Sequence, residues 1–381
     1  MTDKERAAIE QEILDLKEEA SKYYNYEQAV KLMLNSIYGA FGNQYFYFFN
    51  IDIAETITLQ GKDAILYSEA LINKYFTEFW HKDIKAHEKL GITVTGRIEN
   101  PVGIYIDTDS VYVKFEEVIE KCTGWEGDEK SFILKLYEVR LKDYIEKIMQ
   151  KYADDNNAEN FLSFELESVA KNAVWLAKKK YMQNIVWKDP DIHYDSLTKI
   201  SSKGFEIIQS STPIFAREKL KDLLTYIFSV DKINMSQFAK LLKEIKREFK
   251  LSNIDNISFS KKVNNYQKYI VNDYEEFEIA LRCPIGVRSA GYHNYLLNNN
   301  ANLKGKYQPL GNGEKLKMYF TTDPACNVFA YSPGDHPYEF APEIDYDTQF
   351  EKTILDPINR VITAMGFKGF NRNLIYTTSI F

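Results

Sequence analysis

The chain has 381 residues, 48 Lys plus Arg against 55 Asp plus Glu, a formal net charge of -7, and a composition that is 45% apolar and 14% aromatic. With 27 Tyr, 24 Phe and 4 Trp it holds far more buryable surface than a disordered chain, and 17 Gly with 10 Pro in no period exclude collagen-like and low-complexity classes. The length suits two or three domains, each able to bury a core.

Three cysteines, Cys122, Cys283 and Cys326, are odd in number and far apart, so they form neither a disulfide framework nor a paired metal-binding spacing. No stretch approaches about 18 uninterrupted apolar residues, and the N-terminus opens with charges where a signal peptide needs an apolar run. The expected compartment is reducing and cytoplasmic. The acidic total decides little about nucleic-acid binding, which depends on where Lys and Arg cluster.

In chain order, Ile9, Ile13, Leu16 and Ala20 are spaced by three and four, which predicts an amphipathic helix over 3–20. A second helix is expected from about Asn25 to Tyr38, ended by Gly39 and Gly42, followed by the aromatic run Tyr45 to Phe49 and a long helical period over 51–80. After a polar segment at 81–101, Gly103 to Phe115 (GIYIDTDSVYVKF) alternates β-branched and aromatic residues around a four-residue polar turn, a hairpin pattern. Helix is expected over 131–152, a turn at Asp154 to Asn157, and strands at Phe161–Val169 and Tyr181–Trp187. Beyond Lys203 the pattern predicts helices at 213–229 and 235–250, an Asn-rich loop at Asn298 to Asn300, a Pro/Gly-spaced aromatic stretch over 307–342 and a last helix near 347–365.

Three constellations carry chemistry. Asp107 and Asp109 lie two apart at the hairpin turn, so both carboxylates can project to one side while the flanking strands are buried. Such oxygens suit a hard cation such as Mg2+, which keeps waters for a substrate phosphate, but Asp and Ser are also ordinary turn formers. Val118 occupies the place of the bidentate Glu of a calcium loop. Lys31, Asn35 and Tyr38 fall within about 60° on one helix face, either a stripe for a triphosphate and a base pair or a solvated face. Lys178, Lys179 and Lys180 with Tyr181 stand at the mouth of a strand, where cations reach phosphates and a ring stacks on sugar or base, or where lysines merely block edge pairing.

In this order the three patterns resemble the C-terminal part of a family B DNA polymerase, most closely the replicative enzymes of T-even-like bacteriophages. Lys31-x3-Asn35-Ser-x-Tyr38-Gly39 resembles motif B of the fingers, Tyr105-x-Asp107-Thr-Asp109-Ser motif C of the palm, and Lys178-Lys-Lys-Tyr181 the primer-end motif. Phe164-Glu-Leu-Glu167, Gly204-x-Glu206-x-x-Gln209-Ser-Ser-Thr-Pro213 and Cys283-Pro-x-x-x-Arg288 extend the match over about residues 20–370. Three motifs in register are specific where any one is weak.

The resemblance implies an α+β fold: a right-hand palm with an antiparallel sheet and packed helices, a mostly helical thumb and a C-terminal piece of the fingers. The implied domains are 1–43 (second fingers helix with motif B), 44–203 (palm) and 204–381 (thumb with C-terminal tail). It implies template-directed addition of dNMP to a primer 3′ end with two Mg2+ ions, or Mn2+ in their place. Asp109 and Asp107 would be metal ligands, with Glu167 near them. Lys31 and Asn35 would contact the dNTP phosphates, Tyr38 and Gly39 would line the nascent base pair, Lys178 to Tyr181 would hold the primer, and Lys240, Lys243 and Lys261 would grip duplex.

Motif A, the exonuclease and the N-terminal domain have no counterpart, so a split enzyme with an N-terminal partner carrying motif A is expected, an excised fragment being the competing account, and the chain alone is expected to be inactive. Ile375, Tyr376 and Phe381 in the tail suggest a sliding-clamp peptide or an ordinary frayed end. The competing functions are a non-catalytic DNA-binding remnant or scaffold and a metal-dependent nuclease.

Overall fold

The computed structural model describes residues 3–190, 192–194, 199–230 and 232–369. They form two compact units, Met1–Glu165 and Leu166–Phe381. At 53% helix and 18% strand the α+β expectation is met.

The first unit opens with α1 (Asp3–Phe41), 39 residues without interruption. The two helices expected here are one, because Ser21, Lys22, Tyr23 and Tyr24 contain no breaker, and Gly39 lies within the helix rather than ending it. A 4-3 alternation runs its full length through Ile9, Ile13, Leu16, Ala20, Tyr23, Val30, Leu34, Ile37 and Phe41, with only Glu27 breaking it. This is the heptad spacing of a coiled-coil seam. Among the described side chains of α1 none is buried, and Ile9 is 46% and Leu34 63% exposed.

The chain reverses through turns closed by Phe46 N–H to Asn43 O and Asn50 N–H to Phe41 O, with Tyr45 and Tyr47 in solvent. Asn50 caps α2 (Ile51–Lys74) by accepting from Ile53 N at 3.1 Å. After a π-helical turn at Tyr75–Phe79, the polar segment, for which no element is expected, contains α3 (Ile84–Leu90). Asp83 caps its start and Gly91, at a φ of 68°, its end, two local signals that outweigh the weak apolar pattern.

The hairpin is β1 (Gly103–Asp107) and β2 (Ser110–Val113), antiparallel, with Asp107 opposite Ser110. Among the described residues no other strand pairs with it. Its root is fixed to α2, where Gly103 N donates to Asn73 Oδ1 at 2.7 Å, so close that a Cβ on Gly103 would meet Glu69 Cγ at 2.9 Å. The helical run expected over 131–152 is α4 (Glu129–Leu136), a π-helical turn and α5 (Lys142–Asp155). Tyr152 of α5 packs on Tyr67 of α2 at 5.3 Å and donates to Asp63 at 3.0 Å. Tyr75, Phe76, Trp80, Val118, Phe132 and Leu136 form this unit's core, at the end remote in sequence from α1.

In the second unit, β3 (Ser168–Ala177) and β4 (Lys180–Lys188) form a long hairpin, and β5 (Ile200–Lys203) pairs with β4, Tyr181 opposite Lys203. The strand expected at Phe161–Val169 begins only at Ser168. Phe161 to Glu167 has strand composition but no partner strand among the described residues, so it does not join a ladder there. Next come α6 (Ile214–Ser229) and α7 (Met235–Leu251), the latter capped by Asn234. They share a core with Met182, Phe205 and the last helix, α9 (Asp356–Ala364).

A second core joins α8 (Ile285–Asn299) to the sheet of β6 (Phe259–Lys262), β7 (Lys315–Phe320) and β8 (Val328–Tyr331), ordered β8-β7-β6. The residues expected to form an Asn-rich loop instead end a helix: α8 runs to Asn299, and Asn300 caps it by donating from its side chain to Leu296 O at 2.8 Å. The last helical run, Tyr346 to Ala364, stands where expected. Ile375, Tyr376 and Phe381 lie outside the described residues. Among the described residues no helix is long and apolar enough to cross a membrane.

Candidate functional site

In the first unit the acidic turn is tighter than the four polar residues implied. Thr108 and Asp109 alone join the strands, and Asp109 N–H donates to Asp107 O at 2.7 Å. Thr108 takes a φ of 59°, a left-handed conformation that a β-branched residue adopts only at a cost on the order of 1–2 kcal/mol. Such strain persists only where surroundings impose it, and it concentrates at functional sites.

The two carboxylates differ in environment. Asp107 ends β1 and is 4% exposed, with Thr108 Oγ1 donating to its Oδ1 at 3.3 Å. Asp109 stands in solvent and accepts from Ser110 Oγ at 3.2 Å. The strands behind them are half-buried rather than buried as expected, with Ile104 45% exposed. Among the described residues no group of three or more His, Cys, Asp or Glu is placed to hold a metal ion. The donor chemistry nonetheless fits Mg2+, which takes one or two carboxylates and keeps waters for phosphate oxygens.

Lys31, Asn35, Tyr38 and Gly39 all lie on α1 and are exposed, Tyr38 at 40%. At 100° per residue the Lys31, Asn35 and Tyr38 stripe sits about a quarter-turn round the helix from the apolar seam at Val30, Leu34 and Ile37. The motif therefore has two faces, one polar and one apolar, side by side on one rod.

The basic motif belongs to the second unit. Lys178 and Lys179 form the two-residue turn between β3 and β4, with Ala177 opposite Lys180 and all three lysines exposed. Tyr181 does not project as a free ring. It is 5% exposed, stacked on Trp175 at 6.1 Å, with Lys203 Nζ 5.8 Å from its ring centre. Its aromatic surface is spent within the sheet, which leaves the lysines as the outward chemistry of the motif. Glu167, also of this unit, is exposed just before β3, its carbonyl accepting from Asp189 N at 3.0 Å.

Sequence reasoning gave no role to Lys203 and Gly204. Their link to the lysine turn arises from strand pairing across more than twenty intervening residues, which spacing alone does not reveal.

The chain is thus an α+β protein whose polar chemistry is gathered on hairpin turns, acidic in one unit and basic in the other. Residues 4–286 match the model of DNA polymerase family B, and the chain belongs to that family. It is 25% identical over 361 residues to the DNA-directed DNA polymerase of Escherichia phage RB69, covering 88% of this chain and 36% of that protein. Against the DNA-directed DNA polymerase of Enterobacteria phage T4 it is 25% identical over 271 residues, 68% of this chain and 28% of that protein. The mouse DNA polymerase alpha catalytic subunit matches at 24% over 184 residues, 48% of this chain and 9% of that protein. The chain therefore spans about a third of the length of the curated phage relatives it matches.

Proposed function

We propose that this chain is the fingers-end, palm and thumb portion of a template-directed DNA polymerase that extends a primer 3′ end with dNMP, acting with a polypeptide segment that carries motif A. The observation that carries the reading is the strained Thr108 turn presenting Asp107 and Asp109 within a family B chain. Support for the missing segment comes from two surfaces. The β1–β2 hairpin has no third strand among the described residues, although a two-stranded sheet is marginal by itself and offers unpaired edges. The α1 seam is apolar except at Glu27 and exposed except at the half-buried Phe41, the mark of an interface.

In this reading the primer 3′-hydroxyl attacks the α-phosphate of a dNTP and pyrophosphate leaves. Asp109 and Asp107, with the carboxylate of motif A, would hold two Mg2+ ions, which supply Lewis-acid compensation of the charge that develops on the phosphate. Lys31 and Asn35 bind the triphosphate, and Lys31 offers a proton to the departing pyrophosphate. Tyr38 and Gly39 line the nascent base pair. Lys178 to Lys180 hold primer phosphates, with Tyr181 anchoring their strand from within, and Lys240, Lys243 and Lys261 meet the duplex. The domain assignment 1–43, 44–203 and 204–381 belongs to this reading, as does clamp docking by the tail. Deleting residues 374–381 should then shorten products made with a clamp and leave single-nucleotide addition intact.

The test is primer extension. The 381-residue chain alone should give none, and mixing with a family B polypeptide bearing motif A should restore it, with Asp109→Asn lowering the restored rate by at least about a hundredfold. Extension by the chain alone, lost in Asp109→Asn, would remove the partner from the proposal. Tight DNA binding with no extension under any pairing favours the non-catalytic remnant. Strand cleavage with Mg2+ favours the nuclease.

A further inference from the structure

We infer that Gly204 is a positioning residue for the lysine turn, a backbone brace that sets where Lys178, Lys179 and Lys180 stand. The inference rests on the reading of that turn as a phosphate grip and adds the element that holds it in place.

Three like charges crowded on a turn with only two loop residues repel one another, so where they stand depends on how the backbone of the turn is held. Lys179 has a φ of 61°, the left-handed conformation that Gly or Asn ordinarily fills in such a turn. Directly against its carbonyl lies Gly204, itself at a φ of 67°. A Cβ on Gly204 would sit 2.2 Å from Lys179 O and 3.2 Å from Lys180 Cγ. The first of these is backbone and cannot swing aside, so only glycine permits this approach.

The brace is itself anchored on three sides. Lys203, one residue before, pairs with Tyr181 across the β4–β5 ladder and places its ammonium by the Tyr181 ring. Phe205, one residue after, is fully buried in the core shared with α6 and α7. Gln209 Nε2 donates to Gly204 O at 3.0 Å. Gly204 is thus a fixed point between a strand, a core side chain and an amide, and the turn rests upon it. The motif Gly204-x-Glu206-x-x-Gln209 acquires a reason for its first and last members: one makes the contact and the other holds it.

The experiment is a four-cornered cycle on the full 381-residue chain, reading affinity for a fluorescently labelled primer–template duplex across a salt series. The corners are wild type, Gly204→Ala, the triple Lys178→Ala/Lys179→Ala/Lys180→Ala, and the combination. Gly204→Ala should weaken binding and flatten the dependence of log affinity on log salt by about one or two, the signature of lost phosphate contacts. In the triple background it should change affinity by less than about twofold, because it acts through those lysines. Gly204→Asn, which tolerates the left-handed backbone but carries the Cβ, should behave as Ala does.

A triple variant that binds like wild type overturns the reading of the turn, and the brace with it. A triple variant that loses affinity while Gly204→Ala keeps it overturns the brace alone. Equal weakening by Gly204→Ala in both backgrounds, or full recovery with Asn, assigns Gly204 a general structural part and overturns the brace as well. Should Gly204→Ala not fold by circular dichroism, Gln209→Ala takes its corner, with the same outcomes deciding.

Discussion

Helices α1 and α7 carry the same 4-3 apolar spacing and meet opposite fates. In α7 the stripe Phe238, Leu242, Ile245 and Phe249 is at most 3% exposed, closed over by α6 and the helical run ending in α9. In α1 the stripe beginning Ile9, Ile13 and Leu16 is 46%, 46% and 58% exposed. Spacing specifies that a helix has a face to bury, and only the rest of the molecule supplies what buries it. The second unit closes both of its own cores, whereas the first closes one core to which α1 contributes no residue, and among the described residues it leaves the rod exposed and the hairpin without a third strand.

The sharpest way to break this contrast is to truncate both stripes. Phe249→Ala should cost about 3–5 kcal/mol in chemical denaturation, since it empties a fully buried aromatic site. A value below about 1 kcal/mol would mean that the second unit is not self-contained.

Acid gives the next largest effect, and it should fall on the second unit. His293 is 2% exposed, and burial pulls its imidazole down to about 4, although its Nδ1 lies 2.8 Å from Ala330 O. The unfolded chain takes up this proton near pH 6.5 and the folded chain only near 4, so the stability is full above 6.5. It is lost as pH falls towards 4, by roughly 3 kcal/mol. Urea melts between pH 7 and 4 should show that slope, and His293→Gln should flatten it.

In the first unit the acidic turn offers a smaller and opposite effect. Thr108→Gly relieves a left-handed backbone and should stabilise the chain by about 1 kcal/mol, read as a rise in the denaturation midpoint. A loss of stability would show that Thr108 side-chain bonding outweighs the strain. Smallest of all, Leu16→Ala on α1 should shift the stability of the chain alone by no more than about 0.5 kcal/mol. A loss approaching that of Phe249→Ala would show the seam already covered in solution, for instance by a second copy.

Much of this architecture could be read before any coordinates. Helices α6 and α7 follow their periodicity because their apolar faces are buried by their own unit, and the hairpin at Gly103–Val113 and helix α2 also stand where their patterns put them. Where the pattern misled, a non-local or terminal effect won. Phe161 to Glu167 has strand composition without a partner among the described residues, and α3 forms inside a polar stretch because Asp83 and Gly91 cap it. The site divides in the same way. Residue types named the chemistry of Asp107, Asp109 and the lysines, but not that Asp107 is covered while Asp109 is open, nor that Tyr181 faces inward. Those are properties of strand register, which local composition does not encode.

The length of α1 carries one more consequence. At 1.5 Å per residue its 39 residues make a rod about 58 Å long, and the apolar seam and the Lys31 stripe share it at a fixed angle. Any helix that zips along Ile9 to Phe41 therefore sets the azimuth of Lys31 and Asn35 as well. A slip of one residue would swing them by about 100°, so that zipper doubles as an angular gauge for the polar stripe.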